Sequence, residues 1–186
     1  MYKVEILKHP TDEDWIGVKQ RALVTIGKSA STPPTEEWKV KMLNAQHSPI
    51  RFLMFSFLIE NLPSWVATHL SRHVHAQPYI QTQRNDRQKN YDRNTARQDA
   101  PVNMIWDVNA EELITIAHKR LCTQASLETR QVVQEIVNKV LETNPEFESV
   151  LVPLCAYRGG LCNEFTCCGL NKKYMIKEDN QIANTR

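Results

Sequence analysis

The stretch from Asn109 to Pro145 narrows the choice of fold more than any other part of this chain. Asn109 is an N-cap by residue type, Glu111 and Glu112 put carboxylates into a first helical turn, and Asn144-Pro145 marks a stop. Between those ends Leu113, Ile116, Ala117, Val133, Ile136, Val137 and Val140 supply an apolar stripe, which predicts one long amphipathic helix. The run from Phe52 to Ile59, interrupted by Ser56, is apolar and aromatic enough for a largely buried strand, although pattern alone does not separate it from a buried helix.

The remaining elements are shorter. Tyr2 to Leu7 alternates as a strand and is ended by Lys8-His9-Pro10. Thr11, followed by Asp12, Glu13 and Asp14, opens a helix to about Ile26, with Gly27 as its stop. Ser29 to Pro34 is a loop, and Thr35-Glu36-Glu37 begins a second helix through Asn44. Pro63 suits the first turn of a short helix carrying Trp65, Val66, His69, Leu70 and Arg72, in which His69, Arg72 and His73 would share a face. Tyr79 to Gln83 reads as a short strand and Gln83 to Asp99 as a long polar loop.

Strands and helices without regular βαβ alternation predict an α+β fold, with a mixed or antiparallel sheet and a long C-terminal helix. At 186 residues the expected organisation is a single domain over residues 1–150 and a Cys-rich extension over 151–186, its last dozen residues reading as a frayed tail.

A net charge of +2 is too small to imply nucleic acid or membrane binding by itself, so no such partner is expected. The longest apolar run is far short of a membrane span, and the first residues lack a signal-peptide core, which makes a cytoplasmic location the default. Five cysteines then read as thiols. Cys155, Cys162, Cys167 and Cys168 are the weak candidates for a metal, but they contain no Cys-x2-Cys knuckle. Buried free thiols fit better, no metal is expected, and Cys122 should pack on the long helix.

An anion grip is the clearest chemical signal. Arg72-His73-Val74 is followed, after seven residues, by Thr82-Gln83-Arg84, and guanidinium forks hold phosphate or carboxylate in bidentate fashion. The plain alternative is a solvated basic helix end. Arg84, Arg87, Lys89, Arg93 and Arg97, with Tyr91 to stack, suggest a nucleic-acid patch, but Asp86, Asp92 and Asp99 offset much of that charge. A nucleotide monophosphate is the better match.

Taken in order, these residues resemble the flavin-dependent thymidylate synthase family, whose signature is Arg-His-Arg, seven residues, then Ser-x-Arg. His47-Ser48-Pro49 resembles the family's His/Ser-Pro segment, and Ala96-Arg97 with Pro101 its Ala-Arg-x3-Pro element. Trp106 to Ala110 is similar to its Trp-x2-Asn-Ala, and Arg120, Ala125 and Glu128 to its Arg-x4-Ala-x2-Glu. The likeness spans about residues 20 to 145 and rests on several motifs in one order.

The resemblance implies a flavoprotein methyltransferase of nucleotide biosynthesis that makes dTMP from dUMP. FAD would be its cofactor and NADPH and methylenetetrahydrofolate its co-substrates, in a homotetramer with active sites between subunits. By the same resemblance Arg72, His73 and the Val74 position would face the flavin, with His47, Ser48, Asn109 and Thr115 helping to bind it. Thr82, Gln83, Arg84 and Arg97 would hold the nucleotide, with His69 beside it. Arg120, holding the pyrimidine carbonyl edge, and Thr82 would carry the catalytic work. Four positions depart from the family: Val74 for an arginine, Arg51 and Ile80 for glutamates, and Glu111 for an arginine that touches FAD. These departures keep two other readings open. One is C5 methylation or hydroxymethylation of another pyrimidine deoxynucleotide such as dCMP. The other is a non-catalytic nucleotide- or nucleic-acid-binding protein on the same fold.

Overall fold

The computed structural model describes residues 2–88 and 91–175. The tail expected over the last dozen residues falls almost wholly on 176–186, outside the described residues.

Strand β1 (Lys3–Lys8) leads into helix α1 (Asp12–Val24), which starts at a reciprocal capping box between Thr11 and Asp14. Helix α2 (Glu36–Asn44) starts at Thr35, whose hydroxyl accepts the Trp38 N–H. A single 3-10 turn (Ser48–Phe52) then feeds β2 (Met54–Pro63), so the apolar run forms a strand as expected, although Phe52 lies in the turn before it. Helix α3 (Ser64–Leu70), β3 (Ala76–Ile80) and β4 (Pro101–Asn109) follow, with a long loop between the last two.

All pairings in the sheet are antiparallel, in the order β1-β2-β4-β3. β2 is central, with Val4 opposite Ile59 on one side and Trp106 opposite Phe57 on the other. Its register shifts between Ile59 and Leu62, where Asn61 takes a φ of +55° and donates its N–H to Asn103 Oδ1 at 3.0 Å. An unpaired residue in a bulge is where a left-handed asparagine is tolerated. Pro78, which cannot donate to a ladder, sits in edge strand β3.

Strand β4 has no counterpart among the expected elements. It is nevertheless strictly alternating, with Val102, Met104, Trp106 and Val108 buried and the residues between them at least partly exposed. Phe55, Phe57 and Ile59 of β2 bury the same face, and Phe55 meets Phe147 edge-on at 5.3 Å between ring centres.

The single long helix is corrected to two. α4 (Ala110–Arg120) ends at Leu121, and α5 (Leu127–Thr143) restarts with Ser126 as its cap, its hydroxyl accepting the Thr129 N–H. The reason is phase. At about 100° per residue, the stripe of α5 around Val133 and Ile136 lies roughly half a turn away from that of α4 around Leu113 and Ala117. One straight helix would have sent one of the two stripes into water; the break lets both reach the core, where all four residues are buried. Among the described residues no helix is long and apolar enough to cross a membrane.

After α5, a short helix α6 (Leu154–Tyr157) packs against α4. The described chain ends beyond a 3-10 turn at Leu170–Lys173.

Candidate functional site

The site is built around the turn between α3 and β3. α3 ends at Leu70, and the His73 N–H closes a turn onto the Leu70 carbonyl at 3.2 Å. Arg72 and His73 therefore leave the helix, and the face they were expected to share with His69 does not form. His73 is met instead by α4. Its Nδ1 lies 3.0 Å from Glu112 Oε1, and Arg120 donates its Nε–H to Nε2 at 3.1 Å across 47 residues of chain. Arginine has no acceptor, so Nε2 must carry the lone pair and the ring proton sits on Nδ1, where it is donated to Glu112.

Burial holds His73 below its ordinary pKa, and the Arg120 charge acts in the same direction, against the opposing pull of Glu112. The imidazole is neutral at pH 7 and serves as a spacer of fixed tautomer between a buried carboxylate and a half-buried guanidinium. Burial and then the charge of Arg72 also lower the pKa of Arg120, so two cations lie close together. Arg120 spends one donor on His73 and another on the His69 carbonyl at 3.4 Å. Among the described residues neither Arg72 nor Arg120 pairs with a carboxylate. Three of the five donors on Arg120 have no protein acceptor among the described residues, which is an arrangement that stabilises an anion.

Sequence reasoning recognised Glu112 only as a first-turn carboxylate and missed it as the partner of His73. One signal was available: Glu112 stands about two helical turns from Arg120, close to the same side of α4.

The N-terminal end of α4 gathers most of the residues expected at the flavin. The Asn109 side chain accepts the Glu112 N–H at 2.9 Å as a true N-cap. The Ser48–Phe52 turn packs on α4, and Leu53 accepts the Ala110 N–H at 2.9 Å, which places exposed His47 and Ser48 at this border. Thr115 is exposed and donates its hydroxyl to the Glu111 carbonyl at 3.1 Å. Arg51 and Glu111, two of the departures from the family pattern, form a forked pair with N···O distances of 2.6 and 3.1 Å. The two charges therefore meet as one ion pair. Val74 stands in the open turn, 79% exposed, and Ile80 is exposed at the end of β3.

The residues expected at the phosphate lie in a different setting. Arg84 forks onto Asp86 at 2.9 and 2.6 Å, and Arg97 onto Asp99 at 2.9 and 3.1 Å. Thr82 accepts the Arg84 N–H at 3.3 Å, and half-buried Gln83 lies between them. No hydrogen bond joins this loop to Arg120 or His73 among the described residues. Arg97 does line a shallow hollow with Trp65, whose ring stands edge-on to His69 at 5.4 Å. Backbone bonds from Ser64 to Ala100 and from Trp65 to Gln98 fix that end of the loop to α3.

The donor set fits a flavin dinucleotide. The carboxylates of the first turn of α4 both have partners: Arg51 offsets the charge of Glu111, while Glu112 accepts from the neutral His73 ring and is buried. Arg72, the amide nitrogen of Asn109 and the His47–Ser48 turn remain as donors beside them.

The cysteines require one correction. Cys122 and Cys155 are buried as expected, but Cys162 is half-buried and Cys167 and Cys168 are exposed. The cause is the loop-rich course of the chain after α6, which offers too little apolar cover. Among the described residues no three or more His, Cys, Asp or Glu side chains converge to hold a metal ion.

No family model matches the chain, and no curated protein matches it in sequence. Its fold, however, is shared with a solved thymidylate synthase. Thymidylate synthase X from Helicobacter pylori, solved with FAD and dUMP, aligns over 81% of this chain and 97% of its own, with a TM-score of 0.65 at 11% identity. That likeness establishes the architecture and a structural relationship.

Proposed function

We propose that this chain is a flavin-dependent thymidylate synthase-like enzyme, a FAD-dependent methyltransferase that converts dUMP to dTMP with methylenetetrahydrofolate and NADPH. The observation that carries the reading is the bond between His73, from the Arg-His signature, and Arg120, from the separate Arg-x4-Ala-x2-Glu pattern, across 47 residues of chain. It is supported by the order of motifs along the chain and by a fold shared with an enzyme solved with FAD and dUMP.

In this reading the half-buried guanidinium of Arg120 faces the pyrimidine carbonyl edge and stabilises negative charge as it develops on the ring. His73 fixes the Nε end of that guanidinium, and Glu112 fixes His73, so the remaining donors of Arg120 are aimed before substrate arrives. Thr82, with Gln83 and His69 nearby, and the forks of Arg84 and Arg97 hold the nucleotide, Asp86 and Asp99 giving way to the phosphate. His47, Ser48, Arg72, His73, Val74, Asn109 and Thr115 border the cofactor. When bound, FAD supplies the reducing equivalents that the methyl transfer requires. The functional unit is a homotetramer in the cytoplasm whose sites are completed between subunits, for which the support is the resemblance of the motifs.

The test incubates the protein with FAD, NADPH, methylenetetrahydrofolate and either dUMP or dCMP, and identifies the product by mass. The expected product is dTMP from dUMP. Turnover of dCMP alone would move the substrate, and a preparation that takes up no FAD and turns over neither would leave a non-catalytic binding protein.

A further inference from the structure

The five cysteines converge on one small region behind α4, away from the flavin border. Cys122, just past the end of α4, shares a small enclosed cavity with His118, Cys155, Cys162, Glu164 and Cys168. Two contacts already dock the C-terminal segment there. Gln124 donates to the Thr166 carbonyl at 2.7 Å, and Lys119 lies 3.8 Å from Glu164. The Gln124–Thr166 bond brings the stretch around Cys168 against that of Cys122, and both cysteines line the cavity.

The Cys122 and Cys168 sulfurs are unequal. Polar neighbours, the Thr123 hydroxyl first, hold the Cys168 thiol below its ordinary range. It is exposed. Cys122 is buried, and burial pushes its thiol up. An exposed, stabilised thiolate beside a buried thiol is the asymmetry of an attacking and a resolving cysteine. Cys162 and Cys167 lack it, since the Cys162 thiol is pushed up and Cys167 is tied to Asn171 and Gly169. A metal would need three or more ligands on one point, which the described side chains do not provide.

We propose that Cys168 and Cys122 form a reversible disulfide by exchange with a low-molecular-weight disulfide such as glutathione disulfide. The Cys168 thiolate attacks one sulfur of that disulfide, its S–S bond breaks, and one glutathione thiolate leaves. Cys122 then gives up its proton and attacks the Cys168 sulfur of the mixed disulfide. The second glutathione is released, so two protein thiols are oxidised and one small disulfide is reduced to two thiols. The new bond fastens the C-terminal segment to α4 two residues beyond Arg120.

The experiment treats the full chain with glutathione disulfide, blocks remaining thiols with iodoacetamide, digests without reductant and maps the peptides by mass. The expected result is a Cys122 peptide joined to a Cys168 peptide, lost on adding dithiothreitol. In Cys122→Ser the reaction should stop with one glutathione retained on Cys168. A lasting glutathione adduct in the natural sequence, a bond from Cys168 to another cysteine, or stoichiometric bound zinc that shields all five thiols would each overturn the proposal. The mapping of the natural sequence decides the matter even if the serine variant fails to fold.

Discussion

Arg120 and Arg97 carry the same guanidinium in opposite settings. Arg120 is half-buried, bonded to a histidine 47 residues away, and has no carboxylate partner among the described residues. Arg97 is 84% exposed at its side chain and forked onto an aspartate two residues further along. Arg84 repeats that local arrangement with Asp86. The first setting costs folding energy to create and leaves donors aimed at nothing in the protein. The second costs almost nothing, because water screens it and the aspartate meets the arginine's needs. A buried cation held open is a prepared binding group, while an exposed cation closed by its neighbour must first be released.

The sharpest way to break this contrast is to remove each arginine in turn. Arg120→Ala should lower turnover of dUMP by roughly 100- to 1000-fold, as expected when a fixed donor to developing charge is lost. It should change unfolding free energy by only about 1–3 kcal/mol, from the unpaired acceptor left on His73. Arg97→Ala should act mainly on KM and by less than about tenfold, as for a rim contact in high dielectric. Similar kcat losses in both variants would erase the distinction.

Acid should find the buried side and spare the loop. Burial first, then the Arg120 charge, holds His73 low, and burial pushes His118 down to about 4. Each folded value lies below the unfolded one, so the unfolded chain takes up the proton first as pH falls. Stability is therefore lost from about pH 6.5 downward, reaching about 4 for His118, at up to roughly 1.4 kcal/mol per pH unit per group. His118→Gln should flatten the slope of urea-melt stability between pH 6.5 and 4.5. Asp99 is held low by its hydrogen bond from Arg97, so any contribution it makes is lost only in more acidic solution, and Asp99→Asn should leave that slope unchanged. An unchanged slope in His118→Gln would show that the ring is not held low.

The same contrast explains what could be read in the sequence. Caps and strands are local, and Thr11, Thr35 and Asn109 each mark a helix start in the structure. The motif order pointed to a fold that the likeness to the Helicobacter pylori enzyme then shows. The break at Leu121–Ser126 is encoded in the phase of the apolar residues on each side and not in their number. The alternation of Val102, Met104, Trp106 and Val108 does encode β4, but it overlaps the Trp106-to-Ala110 motif and runs straight into the cap of α4. The bond from Glu112 to His73 and the pairing of Arg51 with Glu111 span 39 and 60 residues, and no local pattern encodes them. Nor did the local pattern weigh Asp86 and Asp99 as partners of specific arginines; they entered only as offsetting charge.

A smaller effect separates a structural exchange from a functional one at Arg51 and Glu111. The pair is exposed on the arginine side, so Arg51→Ala or Glu111→Ala should each cost only about 0.2–1 kcal/mol in denaturant melts. The double exchange Arg51→Glu with Glu111→Arg restores the fork in the opposite sense and should recover most of that loss. If it recovers stability but weakens FAD binding, the sign of the charge at position 111 matters to the cofactor. If both recover together, the pair only holds the turn to α4.

The gentlest prediction concerns the aspartates. In Asp86→Asn and Asp99→Asn the forks onto Arg84 and Arg97 lose their ionic partner while the shape of each side chain is kept. Because exposed pairs contribute little, unfolding free energy should shift by no more than about 0.5 kcal/mol. A nucleotide monophosphate no longer has to displace a carboxylate, so its affinity should rise several-fold at low salt, a gain below about 1.4 kcal/mol. The gain should shrink as ionic strength approaches about 0.15 M, where the Debye length falls to about 8 Å. Titration of dUMP by calorimetry at low and moderate salt reads both effects. Affinity that stays flat in the double variant would mean that Arg84 and Arg97 do not reach the phosphate, and the nucleotide would then be held by Arg120 and Arg72 alone.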